Sequence, residues 1–285
     1  MAQPDDELTL HEVAARLGVH YNTVYRYVRR GKLEARQVGG EWRVAPEALD
    51  ALTDTTKPTG KRGEQNFDLL QERMLRRLIA GDVEGSWDIA TDCLDAGAEP
   101  TEVHTKVLGP AMAEIGERWS RGELEVQDEH RATAVTNLLL GRLSTRFRRR
   151  GRRRGRVVLG AAPGDQHSLA VAMMADILRA NGFEAIDLGA DVPPASFATV
   201  VQDADQLVAV AIYSGAPDNA TAVADSVDAI RSAVPGYVRI ILGGPGVGGA
   251  TRAEALGAHE WAGSAEDVLR AVEAATNELP RAQAC

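Results

Sequence analysis

The sequence predicts a multidomain chain: a winged helix-turn-helix first, a four-helix bundle in the middle, and an α/β domain with a parallel sheet last. Three patterns carry this. Residues 7–52 alternate short helical and strand-like patterns around a Gly-Gly pair. Residues 65–146 keep apolar positions at helical period with no convincing strand. Residues 157–276 alternate short apolar runs with amphipathic helices, the signature of a parallel sheet. A length of 285 residues suits two or three compact domains. Their expected bounds are 1–56, 65–150 and 155–285.

Composition narrows the function. A net charge of −9 argues against a protein that coats nucleic acid over its whole surface. It leaves room for one small DNA-binding module, because a local patch decides that contact. The two cysteines, Cys93 and Cys285, are far apart and suggest neither a disulfide framework nor a Cys-based metal site. The acidic start MAQPDDELTL has no apolar signal core, and no apolar run approaches membrane-spanning length. A cytoplasmic protein is expected.

In the N-terminal module, Thr9 and Glu12 have capping-box spacing. The helix they open runs through Val13, Ala14 and Leu17 to Gly18. A second helix follows, capped by Asn22 or Thr23, with Val24, Tyr27 and Val28 facing inward. Glu34–Gln37 and Glu41–Val44 then flank Val38-Gly39-Gly40, a tight hairpin that would form a wing. Trp42 is expected in the wing core, and one of Tyr25 and Tyr27 in the domain core. Pro46 opens a last short helix, where its missing N–H costs nothing. Residues 53–64, polar with Pro and Gly, read as a linker.

The bundle helices fall at about 65–80, 84–96, 100–119 and 124–146, with Gly81, Gly97 and Gly122 as stops. The turn between the last two brings Trp119 near Glu129 and His130, so an aromatic, a carboxylate and an imidazole could line one site. The basic run Arg146 to Arg156 reads as a solvated linker that could also touch phosphates.

In the α/β domain, strands are expected at Val157–Ala162, Phe183–Leu188, Leu207–Ile212 and Val238–Leu242, with a short fifth at His259–Trp261. Ligands of such sheets bind beyond the carboxyl ends of the strands. His167, Ser214, Gly243 and Gly244 all fall there, on different strands. His167 is a candidate metal ligand, with Asp165 placed to hold its other ring nitrogen. The two glycines would let a bulky ligand approach the backbone. No G-x-G-x-x-G follows the first strand, which lowers a dinucleotide reading.

Three resemblances follow from these residues. LTLHEVAARLGVHYNTVYRYVRRGKLEARQVGGEWRV resembles the winged helix-turn-helix of the MerR and excisionase groups. It implies a double-stranded DNA operator as partner. The second helix would then present Tyr21, Asn22, Thr23 and Arg26 to the major groove, with Arg29, Arg30, Lys32 and Arg43 on phosphates or the minor-groove edge. GDQHSLA resembles the Asp-x-His-x-x-Gly motif of the cobalamin-binding domain family, a Rossmann-like α/β fold, with Ala170 in place of the last Gly. Ser214-Gly215-Ala216 and Gly243-Gly244 are similar to that family's Ser-x-Leu and Gly-Gly motifs, with Ala for Leu. The resemblance implies His167 as the lower axial ligand of cobalt, and a slot near Ser214 and Gly243 for the nucleotide tail.

Trp119, nine residues, then Glu129-His130 resembles the helical cap of the CarH/LitR type of light-sensing regulator. It implies adenosylcobalamin, with Trp119 against the adenosyl group and Glu129 and His130 contacting or supporting it. It also implies a non-enzymatic regulator, a repressor in expectation, that binds DNA in the dark as a homo-oligomer, dimer or tetramer. Light-sensing relatives carry a His directly after the Trp; Ser120 stands here. A light-independent cobalamin sensor, a corrinoid methyl carrier and a cofactor-free DNA-binding protein remain as rivals.

Overall fold

The computed structural model describes residues 7–17, 21–29, 31–56, 66–147 and 151–277. The chain divides into two compact units, residues 1–64 and 65–285.

In the first unit, β1 (Leu8–Thr9) leads into α1 (Leu10–Leu17). The Glu12 carboxylate accepts from the Thr9 amide at 2.7 Å, and Thr9 Oγ1 accepts from the Glu12 amide at 3.2 Å. That is the capping box expected from the sequence. Thr9→Ala should cost about 1 kcal/mol of local stability, read as faster hydrogen exchange of the α1 amides. Unchanged exchange would mean that packing alone holds the helix start. The stop at Gly18 lies outside the described residues.

α2 (Tyr21–Arg29) starts earlier than expected, so Asn22 and Thr23 lie within it and do not cap it. Tyr21 explains the shift: its ring packs against the His11 ring at 4.4 Å and onto the core, which draws it into the first turn. β2 (Arg36–Val38) and β3 (Glu41–Val44) pair antiparallel with Val38 opposite Glu41. The loop is therefore Gly39-Gly40 alone, with φ of +59° and +91°, values a hairpin of this type requires. β1 completes a sheet of order β1-β3-β2, and its two residues are too few for a periodic signal. Val24 is fully buried and Tyr27 and Trp42 pack onto the same core, while Tyr25 is exposed. α3 (Pro46–Thr56) runs into the expected linker, because no Gly or Pro interrupts it before Pro58.

The second unit opens with α4 (Phe67–Ile79) and α5 (Val83–Asp95). The third bundle helix is composite: α6 (Pro100–Glu102), a π-helical turn (Val103–Leu108) and α7 (Gly109–Ser120). α8 (Val126–Leu143) ends in a 3-10 turn that buries Phe147. The stops close as expected: the Asp82, Ala98 and Glu123 amides reach back to the Arg77, Cys93 and Arg118 carbonyls. Met74, Leu78, Val107, Ile115, Leu139 and Leu143 form a bundle core from which water is excluded. Each such side chain contributes roughly 1.5–3 kcal/mol.

The basic run is not a free linker. Arg153 and Arg156 both pair with Glu184, Arg154 pairs with Glu273 at 2.8 Å, and its guanidinium lies 4.6 Å from the Phe183 ring centroid. The reason is local: the run ends inside a sheet strand whose neighbour presents a carboxylate. Residues 148–150 of the run lie outside the described residues.

The α/β domain comprises β4 (Arg156–Ala161), α9 (Ser168–Ala180), β5 (Glu184–Asp187), α10 (Pro194–Asp203), β6 (Leu207–Tyr213), α11 (Ala220–Ala233), β7 (Arg239–Gly243), α12 (Ala250–Ala255), β8 (Glu260–Ala262) and α13 (Ala265–Asn277). The short α12 was not expected. All neighbours pair parallel in the order β5-β4-β6-β7-β8. Alternation sends Val158, Val210, Ile240 and Leu242 to one face, under α10 and α11. Val157, Leu159, Ala209 and Ile241 go to the other, under α9 and α13. Met173 of α9 also joins the bundle core, so the bundle and the α/β domain share packing.

Candidate functional site

The strand order reverses at β4, so its exit loop and that of β6 border the switch-point crevice where such sheets bind ligands. Asp165 sits in the first loop and is 4% exposed. One carboxylate oxygen accepts from His167 Nδ1 at 2.6 Å and from the His167 amide at 2.9 Å; the other accepts from the Gly215 amide of the second loop. Burial pushes the Asp165 carboxyl up, but the bonds from His167 and the Gly215 amide outweigh it and hold it below the usual carboxylate range. The same bond raises the imidazole, with a smaller push from Glu129. A carboxylate only accepts, so Nδ1 carries the proton and Nε2 keeps a free lone pair in the neutral ring. His167 is 61% exposed at the side chain.

Glycines let these loops close on one another. A Cβ on Gly215 would lie 2.6 Å from His167 Nδ1, and one on Gly244 2.3 Å from the Ser214 carbonyl oxygen. At Gly244 the missing side chain makes room for the neighbouring loop backbone. Gly243 has no such protein contact closer than 3.4 Å. Buried Ser214 donates its amide to the Gly243 carbonyl at 2.9 Å and its hydroxyl to the Ala216 carbonyl at 3.3 Å.

Beside this edge lies a cleft of about 550 Å³, within the range of small-molecule sites. Gly243, Gly244, Tyr213 and Gly263 line it, with Met174 of α9. Tyr213 ends β6, and its ring lies 5.7 Å from that of His167. Burial, and then the Asp165 charge, push its phenol up to about 12. The rule that picked Ser214, a position at a strand end, would also have picked Tyr213 one residue earlier.

The bundle contributes unequally. Glu129, in the first turn of α8, is near enough to His167 to act on its charge. One Glu129 oxygen accepts from the Thr133 hydroxyl at 2.7 Å and the other stands 3.7 Å from His130 Nε2. The His130 side chain is 74% exposed. Trp119, next to last in α7, leaves half its surface open. Ser120 donates its hydroxyl to the Glu117 carbonyl at 2.7 Å.

In the first unit, Arg29 and Lys32 are exposed, and Arg43 pairs with Glu41 at 3.0 Å. Tyr21 is half-buried against His11, so the expected groove contact has only part of its ring. Arg36, which the sequence reading passed over, pairs with Glu7 at 2.8 Å. Arg30 and the side chains of Asn22, Thr23 and Arg26 lie outside the described residues.

An imidazole aimed out of a switch point, fixed by a buried carboxylate and flanked by a cleft floored with glycine, fits a cobalt-ligating corrinoid site. It has one free nitrogen for the metal and adjoining space for a bulky tail. These features define the class of corrinoid-binding α/β modules with a helical domain attached.

Comparison with known proteins agrees. Residues 70–144 and 155–273 each match a family described as B12 binding domain, and residues 7–55 match a helix-turn-helix domain. The chain is 30% identical over 202 residues to trimethylamine corrinoid protein 1 of Methanosarcina mazei, covering 68% of this chain and 91% of that protein. It is 29% identical over 203 residues to the trimethylamine corrinoid protein of Methanosarcina barkeri, covering 69% and 91%. The structure of the Methanosarcina barkeri monomethylamine corrinoid protein shares the fold, with a TM-score of 0.62 at 19% identity over 74% of this chain and 99% of that one. The chain belongs to the B12-binding corrinoid protein family. No helix among the described residues is long and apolar enough to cross a membrane.

Proposed function

We propose that this chain is a cobalamin-dependent DNA-binding regulator, loaded with adenosylcobalamin, responsive to light, and not an enzyme. One observation carries the regulator reading. The match to the trimethylamine corrinoid protein uses 202 residues and accounts for 91% of that protein, while this chain has 285 residues and a helix-turn-helix match at 7–55. The extra unit is therefore of a DNA-binding type joined to a corrinoid module.

His167 would hold the cobalt of a bound corrinoid through Nε2, and Asp165 keeps the ring in the required tautomer. Trp119, Glu129 and His130 would contact or support the adenosyl group; the spacing of Trp119 and Glu129-His130 supports this. When bound, adenosylcobalamin supplies a cobalt–carbon bond that light breaks. Trp119 and Glu129 sense which upper group is present, and the bundle shifts between two assembly states of unequal affinity. Linked helix-turn-helix units on a dark oligomer bind a repeated operator as a repressor, because linkage raises effective concentration.

Gel filtration of adenosylcobalamin-loaded protein, in darkness and after green light, tests this. The expected result is cobalamin in a large dark species that binds DNA and shrinks on illumination. Bound cobalamin with no change of size would discard the light response and keep the sensor.

A second reading is a corrinoid methyl carrier for a methyltransferase, favoured by the relatives named as methylamine corrinoid proteins. Methyl transfer between a methylamine substrate and the loaded protein, with no DNA retention, would select it.

A further inference from the structure

The edge strand β8 joins the sheet through a side chain. Its backbone pairs with β7 from Glu260 opposite Ile241 onward. Just before that, the His259 amide donates to the Ile240 carbonyl at 2.9 Å. A parallel ladder would then send the Ile240 amide to the carbonyl of residue 257. That carbonyl is engaged elsewhere: Gly257 accepts from the Arg231 guanidinium of α11. The Ile240 amide donates instead to Nδ1 of the His259 ring, at 2.9 Å. Ile240 is buried, so its amide depends on this acceptor.

An amide only donates, so Nδ1 is bare and the proton of the neutral ring sits on Nε2. An imidazolium has no lone pair left for the amide. Its charge would also meet cations. Partial burial first, then Arg239 of β7 and Arg231 of α11, hold the imidazole below the ordinary histidine range, while Glu260 of β8 pulls the other way. Of the helices that also pack on β8, α12 carries Arg252 and Glu254, and α13 carries Arg270, held by Asp267, and Glu273, held by Arg154. His259 is exposed, so protons reach it from solvent. Two residues on, Trp261 lines the cleft, and Gly263 and Ser264 continue its wall.

We infer that His259 is a pH-sensitive clasp: its neutral ring fastens the start of β8 to the sheet, and a proton on Nδ1 releases it together with the cleft wall that follows. The clasp works whatever ligand the cleft takes. A histidine that titrates lower in the folded than in the unfolded chain contributes its full stability above about pH 6.5 and loses it as the pH falls. The clasp is therefore shut in neutral and alkaline solution and opens in acid.

The test follows the Ile240 amide and the His259 ring nitrogens by nuclear magnetic resonance in the full chain, in mildly alkaline and mildly acidic buffer. In wild type, the ring should carry its proton on Nε2 while neutral. As it takes up the second proton, hydrogen-exchange protection of the Ile240 amide, taken relative to a free peptide at the same pH, should fall roughly tenfold. His259→Asn puts a side-chain oxygen where Nδ1 stands and does not titrate, so it should keep that protection in both buffers. His259→Leu should lack it even in alkaline buffer. Wild type and His259→Asn decide between them if the leucine variant does not fold. Protection that stays level through the His259 titration, that falls equally in His259→Asn, or a neutral ring with its proton on Nδ1 would overturn the inference. None of these outcomes bears on cobalamin or DNA binding, which the proposed function answers for separately.

Discussion

Gly244→Val should destabilise the α/β domain by about 3–4 kcal/mol and abolish retention of cobalamin. Two costs add. Gly244 has φ +97°, where a β-branched side chain is strained. Its new Cβ would also stand 2.3 Å from the Ser214 carbonyl oxygen and 2.9 Å from its carbon, and both are backbone atoms that no rotamer change can move. The β6 and β7 exit loops would have to part, breaking the 2.9 Å bond from the Gly246 amide to the Ser214 carbonyl. A domain of ordinary stability can lose most of its margin to such a change. Urea denaturation gives the first number and absorbance of co-purifying cobalamin gives the second. Gly249→Ala is the control: its φ is +122°, but no atom lies within 4 Å of the added carbon. It should cost about 1–2 kcal/mol and leave the cofactor in place. If Gly244→Val behaves like the control, the loop closure is not what shapes the site.

This contrast shows what the sequence could and could not say. The strands and most helices were legible because each carries its own period, punctuated by Gly and Pro. The position of His167 beyond a strand end, with Asp165 two residues earlier, was legible for the same reason. The role of Gly244 was not, since it depends on a carbonyl thirty residues away in sequence. The pinning of Arg153 and Arg156 by Glu184 depends on which strands become neighbours. His104 was illegible altogether: a lone histidine in an amphipathic helix gives no signal until the fold buries it against Asp176. Pro110, the eleventh residue of the expected third helix, was the one local sign of irregular winding.

Asp165→Asn should weaken cobalamin binding about 10–100-fold, the usual cost of losing the partner that orients a metal-ligating histidine. The substitution keeps the shape and removes one acceptor. In the native loop one oxygen accepts from His167 Nδ1 and the other from the Gly215 amide, so both faces of the carboxylate meet donors. An asparagine must turn its own NH₂ toward one of them. If it turns toward Gly215, the two exit loops separate. If it turns toward His167, the imidazole must present a lone pair at Nδ1, which places the proton on Nε2, the nitrogen meant for the metal. His167→Ala removes the ligand outright and should cost more. The two variants differ in kind, and spectroscopy separates them. With reduced cobalamin and histidine labelled with ¹⁵N, wild type and Asp165→Asn should both show nitrogen coupling from the protein in the electron-spin spectrum, weaker in the second. His167→Ala should show none. Protein-derived coupling that survives in His167→Ala would assign the cobalt to another histidine, and His130, exposed on α8 beside Glu129, would be the first to replace.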